Sequence, residues 1–552
     1  MDLRSAEIVV MLLAGLAGLW AASRRARNDA TARLLAALVP MGAMVVLVHL
    51  VERLAKAPDL DVNASRVANA IAVAKGFNIF VGMKDGPLLD YMYGPVFALA
   101  YTPAALASSP TGAIWTGVVL SFLFVVAPLA WMALRDRGQL SRLLALAVVV
   151  CLGLACTWDK AFTWVTWYIL ADPPALALAA VACACVAGRR GEMTTGRMVA
   201  AAVPAVLAVW AKQIAAPIVL ALPVYVALAE GWRRGLRFAL VVGVTGLVAS
   251  SLFVLWFGLD GLVFNMFQMP GHHPWKGSQV GRGPAAEFLR SLGSLAREAG
   301  PSGLVVVAVA GLTWSRAGTF RQWLVAEPWT CLACVALFMV PTSTMGGAKI
   351  GGEANVYAMS TYFLTCAALL GLARVAGDSS RAVASRASRI LLSALLIAGV
   401  GGELFASDRS AGFQEAVHRL RDWRSNPQEQ ALAFALAHRD EVHFISNPLI
   451  GLYSDGQLYS DMFGRYDREL AGYRPAPEQM RAHAPSRLRY VVVRRDFPWF
   501  ARPALYPEYA EFTELVPEEA LPYHFVWQRA SALPAATSPD GSTARTNPLT
   551  RR

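Results

Sequence analysis

The feature that most constrains this chain is a succession of apolar runs between residues 6 and 405. They are 6–22, 33–51, 113–134, 142–158, 173–187, 198–211, 215–229, 236–257, 302–314, 328–345, 357–374 and 390–405. About 20 helical residues cross a hydrocarbon core of about 30 Å. The expected fold is therefore an all-α polytopic membrane protein with about twelve transmembrane helices. Runs shorter than a full crossing either extend into their flanks or act as half-helices lining a cavity. Only 16% of the 552 residues are charged, against about a quarter in soluble domains.

Basic residues orient the runs. Arg24, Arg25, Arg27 and Arg33 follow the first, Arg135, Arg137 and Arg142 the third, and Arg189, Arg190 and Arg197 the fifth. Arg233, Arg234 and Arg237 follow the seventh, Arg316 and Arg321 the ninth, and Arg374, Arg381, Arg386 and Arg389 the eleventh. Every second connection is basic, which places those connections on the cytoplasmic side. The net charge of +12 thus reflects orientation, and nucleic acid is not an expected partner. The outward segments are then 52–112, 159–172, 212–214, 258–301 and 346–356, together with both termini. This describes a multi-pass protein of a bacterial inner membrane, surrounded by membrane lipids, with its working face toward the periplasm. The first run has no small-residue cleavage site before Arg24 and reads as a retained helix. The seven cysteines, including the Cys331/Cys334 pair, fall in or beside apolar runs, so no disulfide framework is expected.

Four parts follow. Residues 1–32 hold an additional N-terminal helix and basic loop, and 33–405 form the membrane domain. Residues 406–530 form a small soluble α/β domain facing outward, and 531–552, rich in Ser, Thr, Pro and Ala, form a disordered tail. In the soluble domain, helical periodicity fits 412–424 and 427–438, and strand patterns fit 442–446 and 488–494. Within the first long loop, 65–74 is a helix suited to the membrane interface, and 91–107, with Pro95 and Pro103, is an interfacial helix or wedge. Phe264, Met266, Phe267, Met269 and Trp275 suggest a second segment dipping into the membrane surface.

Polar residues gather at the outward ends of the runs: Asp59 and Asp61, Asp159 and Lys160, Asp172, Lys212 and Gln213, then Lys349, Glu353 and Asn355. Ionisable groups at membrane depth are costly, so each is a functional candidate. Their convergence on one face implies a water-accessible cavity holding carboxylates and ammonium groups.

In order, the chain carries Asp61 in an outward loop, then Gly76, then Tyr93-Gly94-Pro95. Asp172-Pro173-Pro174 opens a run, and Ala211-Lys212-Gln213 closes an alanine-rich one. Over roughly 33–375 this order resembles the family C (GT-C) membrane glycosyltransferases, the class of the protein O-mannosyltransferases and the aminoarabinose transferases of lipid A. The family often has Glu after the loop aspartate, where this chain has Val62, and the N-terminal run is additional. The resemblance implies a GT-C-like membrane domain that moves a sugar from a polyprenyl-phosphate donor to a glycolipid, polysaccharide or protein acceptor at the outer face. Direct displacement with one base would invert the anomeric centre.

A carboxylate near the membrane face would serve as that base. The spacing from Asp61 to Gly76 favours Asp61, with Asp59 as its rival, and either could instead cap the helix that follows. Lys212, Gln213 and Lys349 are the expected partners of the donor phosphate, because cations stabilise the charge that leaves. Lys212 could equally snorkel to the interface, and the Gly351-Gly352 turn beside Lys349 reads equally as an ordinary tight loop. Asp85, Asp90 and Tyr93 would bind the acceptor sugar or orient the loop. Asp172 would cap its helix, with Pro173 and Pro174 at the first positions, or face the cavity beside Glu353 and Asn355. His272 and His273 lack the spacing of a helical two-histidine metal site and fit a headgroup-level loop with His273 near substrate. No cofactor is demanded, although some family C enzymes use a divalent cation. The competing reading is a transporter or lipid flippase. Such proteins show repeated halves with matching broken helices, and no repeat is visible here.

Overall fold

The computed structural model describes residues 15–17, 29–135, 141–187, 193–314, 318–405, 409–495, 509, 511–515, 521 and 523–529. Among the described residues, eight helices are long and apolar enough to cross a membrane: Ala30–Asp59, Pro110–Arg135, Gln213–Glu230, Trp232–Phe257, Pro284–Trp314, Trp329–Ala348, Ala354–Gly377 and Ala382–Gly402. Arg142–Trp158 and Lys160–Trp167, bent by 96° to one another, make a ninth if taken as one span. The shorter helices Asp172–Val186 and Thr195–Ala211 occupy two more of the expected runs. Eight, one and two make eleven runs that coincide with helices, in an integral membrane protein. The described residues do not by themselves make twelve full crossings, because those two helices have 15 and 17 residues, short of the about 20 that a crossing takes. The 6–22 run lies outside the described residues except for 15–17, and so does the 531–552 tail.

Local chemistry explains where these helices break. Asp159 is extended, and its Oδ1 accepts from the Phe162 N–H at 2.9 Å, which starts the bent helix. Asp172 is the first residue of its helix, with the prolines behind it, where missing N–H groups cost nothing. The 302–314 run is the second half of the 31-residue Pro284–Trp314 helix, so much of the expected 258–301 loop is helix. The rest of that loop folds as Leu259–Val263, a π turn at Phe264–Gln268 and Met269–His272.

The basic connections meet one another at the ends opposite the long loop. Arg374 Nε lies 3.1 Å from Glu327, and Arg321 Nε donates to the Ala229 carbonyl at 2.7 Å. The Met193 N–H donates to Glu230 at 2.9 Å, and Arg389 pairs with Asp29. The other ends of the helices meet the first long loop and the C-terminal domain.

That domain is built on a four-stranded sheet of order β1-β2-β4-β3, with β1 Val442–Phe444, β2 Tyr490–Arg494, β3 Phe512–Leu515 and β4 His524–Arg529. β1 and β2 are parallel, with Val442 opposite Tyr490, and β4 runs antiparallel to both β2 and β3. Helices Arg409–Arg421 and Pro427–Ala437 match the expected periodicity within a few residues. The Asp61–Ala74 helix departs from expectation. It does not lie open on an interface: Ala64, Val67 and Ala68 are fully buried, and Lys75 at its end donates to the Leu452 carbonyl of the C-terminal domain at 2.6 Å. The chain after it stays short of a span, as expected, in helices Pro95–Ala100 and Thr102–Leu106.

Candidate active site

The Asp172–Val186 and Thr195–Ala211 helices run out and back, so the start of one meets the end of the other. This brings Lys212 to Asp172. The ammonium lies 2.7 Å from both carboxylate oxygens, and both side chains are buried. Asn355 Nδ2 donates to the same carboxylate at 3.0 Å. Gln213 ties two outward segments together, its Nε2 donating to the carbonyls of Met92 and Met266 at 2.8 Å each. Tyr93 therefore sits over the ion pair. Lys212 lies 5.6 Å from its ring centroid and Arg66 lies 5.7 Å away on the same ring, both within cation–π reach.

The turn that holds Tyr93 depends on Gly94. A Cβ there would overlap the carbonyl of Trp210, two residues before Lys212. Tyr91 fixes the turn from inside, its hydroxyl donating to the Gly94 carbonyl at 2.7 Å and accepting from the Ala98 N–H at 3.2 Å. Gly94→Ala should cost about 1–3 kcal/mol, the usual scale of overpacking, and should lower the melting temperature of the purified protein. An unchanged melting temperature would show that the turn tolerates the added carbon.

From Arg66 a polar row runs under the C-terminal domain. Arg66 Nε lies 3.3 Å from Asp90. Asp467, in its protonated form, hydrogen-bonds Asp90. Ser65 donates to the buried Asp461, and Ser446 donates to Asp61 at 2.6 Å. Asp61 is fully enclosed, with Arg494 Nη1 at 3.7 Å. It is the first residue of its helix. Asp59 pairs with Arg419, and its carbonyl accepts from Arg494.

Enclosure by protein, and then the neighbouring Asp90, push the carboxyl pKa values of Asp467 and Asp461 well above the usual range. A carboxyl raised on folding adds stability below its unfolded pKa of about 4 and loses it as pH rises through the folded value. Thermal stability should therefore fall as pH rises above about 4. Asp467→Asn, which donates to Asp90 at every pH, should flatten that fall. A pH series of melting temperatures with identical slopes for the two proteins would refute the assignment.

The remaining expected residues lie around this centre. Lys349 is apart from Lys212: its ammonium donates to the carbonyls of Pro270 and Gly271 at 3.3 and 2.6 Å and lies over Trp275. Glu353 is exposed and lines a cleft of about 470 Å³ with Lys160, Lys276, Arg297 and Glu298. Asp85 is exposed, and its carbonyl accepts from Gln479 at 3.4 Å. His273 is buried with Nε2 3.2 Å from the Asp467 carbonyl, whereas His272 is exposed. Among the described residues no three His, Cys, Asp or Glu side chains converge to hold a metal ion. The seven cysteines are all unbridged. Sequence reasoning missed Arg66, Asp461, Asp467 and Arg494. Arg66 stands on the same helix as Asp61 and was within reach. The other three lie in an ordinary polar domain and carry no local signal.

No family model matches the sequence, and no curated protein matches it. Among solved structures, the chain is similar to the crystal structure of ArnT from Cupriavidus metallidurans in the apo state, at 15% identity over 88% of this chain and 97% of that chain, with a TM-score of 0.48.

Proposed function

We propose that this protein is a membrane glycosyltransferase that moves a sugar from a polyprenyl-phosphate carrier to a glycan, lipid or protein acceptor at the outer face, with inversion. The observation that carries this reading is the Asp172–Lys212–Tyr93–Arg66 cluster, placed where the membrane helices end and roofed by a row of carboxylates. A lipid carrier reaches such a site from the bilayer side, and an acceptor reaches it from the aqueous side. Lys212 and Arg66 offer positive charge to a leaving phosphate. A neighbouring carboxylate takes the proton of the attacking hydroxyl.

Two carboxylates compete for that second task. Asp61, with Asp59 beside it, is the base the family pattern suggests, and it becomes available when the C-terminal domain lifts away from Ser446 and Arg494. Asp90 stands in the same layer as Arg66 and Tyr93, buried beside Asp467 of that domain. The test is sugar transfer by purified protein in liposomes, comparing wild type with Asp61→Asn and Asp90→Asn. Transfer that survives both substitutions would remove the carboxylate-base mechanism.

A further inference from the structure

Arg468 is an enclosed cation with no carboxylate beside it among the described residues. It follows Asp467 on the Met462–Leu470 helix, is 1% exposed, and lies with Cζ 5.3 Å from the Phe264 ring centroid. Nη1 donates to the carbonyls of Gly82 and Met83 at 3.4 and 3.1 Å. Nε and Nη2 donate to no acceptor among the described residues. Other cations at this seam have their carboxylates: half-buried Arg66 has Asp90, and buried Lys212 and Arg494 have Asp172 and Asp61. Enclosure without a counter-charge pulls the Arg468 pKa down to about 10.

An unpaired buried ion is costly, and a guanidinium edge is shaped to take two oxygens of one oxyanion. The edge of Arg468 left unspent stands beside Phe264, on the segment that Gln213 ties to Met92 and so to the Tyr93 layer. The stretch that holds Nη1 is 81–87, exposed at Met83, Lys84 and Asp85, and it contains Gly82 and Gly86, the latter at φ 68°. We propose that Arg468 binds a phosphate through Nε and Nη2, so that the C-terminal domain contributes an anion-receiving group to the site below it. This rests on the glycosyltransferase reading for the origin of the phosphate, which belongs either to the lipid carrier or to a phosphorylated acceptor.

The full chain in lipid nanodiscs distinguishes the sources. Thermal unfolding is followed by tryptophan fluorescence while inorganic phosphate, polyprenyl phosphate or uncharged polyprenol is added. Wild type should be stabilised by a phosphate probe and not by polyprenol. Tighter action of polyprenyl phosphate assigns the group to the carrier, and equal action of inorganic phosphate assigns it to a soluble or acceptor phosphate. Arg468→Met should melt at or above the wild-type temperature without ligand, because the uncompensated charge is gone, and should bind phosphate at least tenfold more weakly. Arg468→Lys should fall between. A lower ligand-free melting temperature with unchanged phosphate affinity would overturn the proposal and leave Arg468 as a clamp on Gly82 and Met83. Wild type that responds to no phosphate would also overturn it. A wild type that binds phosphate through Arg468 but transfers no sugar would count against the transferase reading alone.

Discussion

Lys212→Met is expected to abolish sugar transfer and to destabilise the protein by about 3–5 kcal/mol, the cost of stripping one partner from a buried ion pair. Asp172 would be left enclosed, with Asn355 as its remaining donor at 3.0 Å. Asp172→Asn should behave similarly, leaving Lys212 buried. The double variant Asp172→Asn/Lys212→Met removes both charges, so its melting temperature should return most of the way to wild type. Its transfer activity should stay absent. This split between recovered stability and unrecovered activity separates a catalytic pair from a structural one. Melting temperatures and initial rates on the four proteins measure it. A double variant that recovers both would make the pair a folding device.

Asp90→Asn is expected to lower the transfer rate by about 10²–10⁴-fold, the usual contribution of a general base, with little change in donor binding. Asp61→Asn should produce the same loss only if the C-terminal domain lifts during turnover, because Asp61 is fully enclosed against Ser446 and Arg494. The pH profile adds a second readout. A base carboxylate gives an acid limb in kcat/KM, which its Asn variant loses. Asp61→Asn inactive with Asp90→Asn unimpaired would return the role to the residue that the sequence pattern favours.

Much of this architecture was legible in the chain itself. Hydrophobic runs locate helices because lipid forces every backbone group into an internal hydrogen bond, and eleven runs coincide with helices. Lys212 and Asp172 were each visible as costly ions at run ends, and the out-and-back path of two short helices explains why they meet. Less was visible where contact depends on distant segments. Asp61 meets Arg494 across more than four hundred residues, and no local pattern reports such a pair. The Asp61–Ala74 helix looked suited to an interface from its composition, yet Asp61 and Ser65 on it meet Ser446 and Asp461 of the C-terminal domain. Strands β3 and β4 are short and paired chiefly with one another and β2, so their own sequences gave little sign of them. Lys349 sits on the expected face, but its ammonium is spent on two loop carbonyls.

The most direct test of the central claim uses wild-type protein and Lys212→Met in sealed liposomes carrying a polyprenyl-phosphate sugar labelled in the sugar, with a membrane glycolipid extract supplied as acceptor. Wild type should move the label onto acceptor and release polyprenyl phosphate, while Lys212→Met should leave the label on the carrier. Label that stays on the carrier with wild type, or crosses the bilayer still attached to it, would contradict the transferase and favour a flippase.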